Sequence, residues 1–254
     1  MLPWDHNAYY HRLLLREVPA GANDVLDVGC GAGQLANKLA VRACHVDAVD
    51  SDPAMIDLAR GGAPMNVDCM LADVMDTDLA SSRYDAIVSM SALHHLPLDS
   101  ALPRLAGALR PGGVLAVVAL PRRDHPRELP VELAATIWHH LVGLALAAGG
   151  DRTTLGVGLK HRADHDQMAM ANPGLTTREI RQLAASILPG VRVRHLMLWR
   201  YLLAWHPPDP TGRAARSMSE SSTRRRPSRQ TRWSPDFQGH PVSRRVAGDP
   251  TSRN

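Results

Sequence analysis

The stretch VLDVGCGAG, Val25 to Gly33, decides how the rest of the chain is read. Val25, Leu26 and Val28 make a short apolar run suited to a strand buried on both faces, and glycine then recurs at Gly29, Gly31 and Gly33. Alternating glycines let a backbone turn sharply and approach a ligand more closely than any Cβ permits. The spacing predicts a strand, a tight turn carrying a cofactor, and the start of a helix. A dinucleotide site needs G-x-G-x-x-G. Here the third glycine falls one place early and Gln34 stands where that fingerprint needs glycine, so a dinucleotide is disfavoured.

Working outward, Gln34 to Arg42 reads as a crossover helix and His45 to Asp50 as a second strand that ends in an acid. In an open parallel sheet the ligand lies across the strand C-termini, where a carboxylate can accept hydrogen bonds from ribose hydroxyls. Asp50 is placed for that role, whereas Asp52, just before Pro53, reads as the N-cap of a helix from Ala54 to Arg60. A third strand, Val67 to Ala72, again ends in an acid, Asp73. Asp27, Asp50 and Asp73 would converge on one cleft that holds no motif lysine or arginine. That balance suits a cationic ligand better than an anionic pyrophosphate.

Tyr84 to Met90 reads as a fully buried fourth strand followed by SALHHL, and Leu98 to Leu109 as an amphipathic helix stopped by Pro111-Gly112-Gly113 before a fifth strand from Val114. The order of these segments, with D-x-G-x-G-x-G at Asp27 to Gly33 and LRPGGVL at Leu109 to Leu115, resembles the class I S-adenosylmethionine-dependent methyltransferases. The resemblance covers about residues 4 to 208. It implies a Rossmann-like α/β fold, doubly wound, with a mostly parallel seven-stranded sheet, an antiparallel last strand and helices on both faces.

It also implies S-adenosyl-L-methionine as cofactor, held by Asp27, Gly29, Cys30, Gly31, Gly33, Asp50, Ser51, Ala72, Asp73, Val74 and Ser89, with Asp73 reading the adenine amino group. His94 and His95 follow the fourth strand and are the candidate catalytic bases, against a competing role in packing. Direct displacement on the sulfonium methyl needs alignment above all. The fourth strand runs into Ser89-Met90-Ser91-Ala92 rather than N/D-P-P-Y, and no Pro-Cys pair supplies a cytosine-attacking thiolate. The expected acceptor is therefore an O, N or C nucleophile of a small molecule or lipid-like metabolite. A non-catalytic S-adenosylmethionine-binding module and a nucleic-acid-associated protein acting through a basic tail stand as rivals.

The leading segment Trp4 to Val18 has leucines at helical spacing, with Asp5 as candidate N-cap. Packing on the core is favoured for it over bringing Trp4, Tyr9, Tyr10 or His11 to the substrate. Residues 121 to 175 are expected to form a substrate-side insertion with a long apolar helix, Val131 to Ala148; within it Trp138 reads as a packed aromatic beside partly exposed His139 and His140, rather than a metal site. Thr176 or Thr177 caps a helix to Leu188, and Val191 to Trp205 is long enough for a closing hairpin. Cys30, Cys44 and Cys69 lack the paired spacing of a disulfide or zinc site and read as reduced, buried thiols.

No basic-then-apolar leader opens the chain and its longest apolar stretch is too short to span a bilayer, so a cytoplasmic location is expected. The net charge of +4 divides unevenly: residues 209 to 254 carry +6 and residues 1 to 208 carry −2. The Arg/Ser/Pro-rich tail holds too few aliphatic residues to build a core and is expected to be disordered. It could bind acidic partners through Arg224 to Arg226, be an inert extension, or be out-of-frame coding sequence, the last two being favoured. Oligomeric state is not legible.

Overall fold

The apolar run before the glycine turn becomes β1, Ala22–Val28, and its neighbours are chosen by register. Val25 pairs with Val46 of β2 (Ala43–Asp50) on one side and with Ala86 of β4 (Tyr84–Met90) on the other, both in parallel. The structure, a computed structural model, describes residues 6–122, 124, 136–138, 140–141 and 173–208. Its seven strands follow the order β3-β2-β1-β4-β5-β7-β6, with β3 at Val67–Leu71, β5 at Leu109–Ala119, β6 at Arg192–Leu196 and β7 at Arg200–Trp205. β7 runs antiparallel to both β5 and β6, as the resemblance implies. The strand order reverses between β1 and β4, and it is outside the carboxyl ends at such a switch point that ligands bind.

Alternation of side chains distributes the core. Val25, Val46, Ala86, Val88, Val114, Ala116 and Val118 face a layer containing α1 (His6–Glu17) and α2 (Gln34–Leu39) through Leu14, Leu35 and Leu39. The alternate residues Leu26, Val28, Ile87, Leu115 and Val117 face α4 (Leu98–Ala108) and α5 (Thr177–Ile187) through Leu102, Leu105, Ile180 and Ala184. Removing a large side chain from either layer costs about 2–5 kcal/mol.

Several ends differ from the sequence expectation for identifiable reasons. α2 stops at Leu39 rather than Arg42, because β2 must begin at Ala43 to pair with Ala22. α3 runs Pro53–Gly62 with Asp52 as its N-cap, the Asp52 carboxylate accepting from the amides of Ala54 and Met55. β5 starts at Leu109, not Val114; its register shifts between Tyr84 and Ala86, and the regular ladder resumes at Val114. Thr176 caps α5 in a full capping box with Glu179.

Of the three cysteines only Cys30 is buried, whereas Cys44 is exposed and Cys69 half-buried, which corrects the expectation of three buried thiols. Cys69 lies on the edge strand β3, and Cys44 near the start of β2. Further along β2, the buried Asp47 carboxylate accepts from Tyr84 Oη at 2.7 Å and pairs with Arg83 at 2.6 Å and His45 at 2.9 Å. Trp4, Asp5, most of the segment expected as a helix over 131–148, and the tail lie outside the described residues. Among the described residues no helix is long and apolar enough to cross a membrane.

Candidate functional site

The turn after β1 is fixed by backbone geometry that requires glycine. Gly29 has φ 69°, and a Cβ built on it would overlap Ala92 Cβ in the loop after β4. Gly29 and Cys30 both donate to Val49 O, at 2.8 and 3.0 Å, which ties the turn to the end of β2. Gly31 has φ 53° and donates its amide to Asp50 Oδ2 at 2.8 Å; the other oxygen, Oδ1, accepts from the Asp52 amide at 2.9 Å. Gly33, at φ 77°, opens α2 and packs where a Cβ would sit 3.2 Å from Ala59 Cβ.

Above this turn lies a cleft of about 320 Å³. Asp27, Gly29, Cys30, Asp50, Ser51, Ala72, Asp73, Val74 and His95 line it, all of them expected from the sequence. Gly31, Gly33, Ser89 and His94 are not among the lining residues. Gly31 and Gly33 shape the turn, and Ser89 is fully buried within β4, its hydroxyl without a hydrogen-bond partner. His94 instead lines a neighbouring cavity of about 380 Å³, together with Leu98, Leu120, Ile180 and Tyr201.

Burial sets the electrostatics. Asp27 is 1% exposed and neither carboxylate oxygen has a hydrogen-bond partner. Burial first, then the neighbouring Asp50, raises its pKa to about 7, against the weaker pull of the Ala36 amide, which stands close to the carboxylate but outside hydrogen-bond geometry. The Cys30 thiol is pushed far up by burial and by Asp27, so it stays protonated. Burial lowers His94 to about 4, helped by His95 and Arg200. The two histidine rings lie 4.1 Å apart, centroid to centroid.

Sequence reasoning favoured core packing for α1 and kept His11 near the substrate as the lesser alternative; Asn7 it did not name. Leu14 and Tyr10 pack into the core as expected, but Asn7 and His11 line the cleft. Asn7 Oδ1 accepts from Ser91 Oγ at 2.8 Å and from Arg200 Nη2 at 3.0 Å, joining α1, the loop after β4 and β7. Ser91 itself holds a positive φ of 56°. His11 Nδ1 lies 2.8 Å from Lys38 Nζ of α2. The i, i+4 spacing of Asn7 and His11 could have signalled a shared face.

The cleft fits S-adenosylmethionine: an unpartnered buried carboxylate answers a cationic ligand, and the Gly29 turn leaves room that a Cβ would remove. Residues 25–113 match the family described as a methyltransferase domain. The chain is 35% identical over 210 residues to an uncharacterised methyltransferase of Mycobacterium tuberculosis (strain ATCC 25618 / H37Rv), covering 81% of this chain and 98% of that one. A counterpart in Mycobacterium bovis shows the same identity and coverage. A solved DhpI–SAH complex shares the fold, with a TM-score of 0.52 at 20% identity over 79% of this chain and 82% of that one. The chain belongs to the class I S-adenosylmethionine-dependent methyltransferases. S-adenosylmethionine is its cofactor.

Proposed function

We propose that this methyltransferase acts on an O, N or C nucleophile of a small molecule or lipid-like metabolite. The observation that carries the methyl-transfer part of the reading is the unpartnered Asp27 carboxylate lining the cleft at the sheet's switch point. S-adenosylmethionine, when bound, supplies a methyl group activated by the sulfonium. Asp27 balances its positive charge, Asp50 accepts from the ribose hydroxyls while holding the turn, and Asp73 with Val74 receives the adenine. Gly29, Cys30, Ser51 and Ala72 shape the walls.

His95, on the cleft, is the candidate base for the acceptor's proton. His94 faces the neighbouring cavity, and its lowered pKa makes it a poor proton acceptor at neutral pH. Residues 1–208 form the catalytic domain, with 121–175 on the substrate side and 209–254 as a tail.

The acceptor class is supported by two relatives over part of their length. A ubiquinone biosynthesis O-methyltransferase of Methylocella silvestris is 34% identical over 102 residues, covering 39% of this chain and 40% of that one. A trans-aconitate 2-methyltransferase of Paracidovorax citrulli is 32% identical over 148 residues, covering 54% of this chain and 55% of that one. The test is transfer of labelled methyl from S-adenosylmethionine into fractionated cell extract. Label is expected in the small-molecule or lipid fraction; label confined to nucleic acid or protein would contradict the proposal.

A further inference from the structure

The cofactor cleft is lined by Asp27, Asp50, Asp52 and Asp73, and no lysine or arginine lines it among the described residues. S-adenosylmethionine carries a carboxylate as well as its two cationic groups, and that carboxylate needs a donor. Strand order says where it lies. Asp50 ends β2 and Asp73 follows β3, on one side of β1, so a nucleoside held there directs the amino-acid half toward the β4 side. α1 stands on that side, with Asn7 bonded to Ser91 and His11 one turn further along the same face.

His11 is 3% exposed and lines the cleft. Lys38 as an ammonium can only donate, so Nδ1 accepts and the neutral ring carries its proton on Nε2. Burial and Lys38 hold the His11 pKa down to about 3, so the ring remains a neutral donor across the physiological range. The Lys38 charge behind it strengthens that donor.

We propose that His11, backed by Lys38, is the donor that takes the carboxylate of the cofactor's methionine half. The proposal rests on the cofactor reading of the same cleft. It makes His11 a residue that discriminates the carboxylate-bearing cofactor from its decarboxylated analogue.

The test is calorimetric titration of the full chain with S-adenosylmethionine and with decarboxylated S-adenosylmethionine, for wild type, His11→Phe and Lys38→Met. Wild type is expected to prefer S-adenosylmethionine, and His11→Phe to lose about tenfold or more of that affinity while binding the decarboxylated ligand nearly unchanged. Lys38→Met loses a smaller part of the preference. Retained binding of the decarboxylated ligand shows that the variants fold. Equal losses on both ligands, or no loss on either, would overturn the role of His11. Failure of folded wild type to bind either ligand would overturn the cofactor reading itself, a separate outcome.

Discussion

Asp27 sits near the end of β1, just before the glycine turn, with both carboxylate oxygens unpartnered, and its pKa of about 7 has two opposite consequences. Without ligand, the folded state holds the Asp27 proton more tightly than the unfolded chain, whose value is near 3.8. This group therefore lowers stability progressively as pH rises from about 3.8 to about 7, and fully above that. A bound cation reverses the preference by favouring the carboxylate. Cofactor affinity should thus be flat above pH 7 and fall by up to about tenfold per unit below it. Titrations at pH 6 and pH 8 check this, and Asp27→Asn should weaken binding and remove the pH dependence. The place of Asp27 on the cleft was legible because its motif position and residue type coincide. The place of His11 on the cleft was only the less favoured alternative, because a histidine on an amphipathic helix gives the same pattern whether it faces core or cleft.

At the scale of elements, the turn and the loop after β4 form a single fitted unit. Gly29→Ala drives a methyl into Ala92 Cβ at a residue with φ 69°. It should destabilise the protein by about 2 kcal/mol or more and abolish cofactor binding, as read by urea unfolding and by titration. Strands and helix caps were legible here because the apolar runs were bounded by punctuating residues: Tyr84–Met90 and the Asp52 and Thr176 caps match the expectation. The ends of α2 and β5 were not, since both are set by cross-strand register, which a local pattern does not contain. Likewise the loop that carries His94 and His95 does not reveal in sequence which ring turns to the cleft. Its turn is set by Ser91 and by a short 3-10 helix at Leu93–His95.

For the whole molecule, the sheet order reverses between β1 and β4, and the cleft opens beside that reversal. Fold class followed from the order of strands, helices and glycine turn, because each segment repeats the same βα logic. The acceptor did not follow, because fold alone does not specify a substrate. The central claim is that this cleft binds S-adenosylmethionine through the turn and the acid ending β2. Its most direct test is calorimetric titration of the full chain with S-adenosylhomocysteine, with Asp50→Ala and an NAD control, each checked for folding by thermal melting. One ligand per chain is expected, with at least about tenfold weaker binding in Asp50→Ala and no binding of NAD. A folded wild-type protein that binds no S-adenosylhomocysteine, or a variant that binds it equally well, would contradict the account.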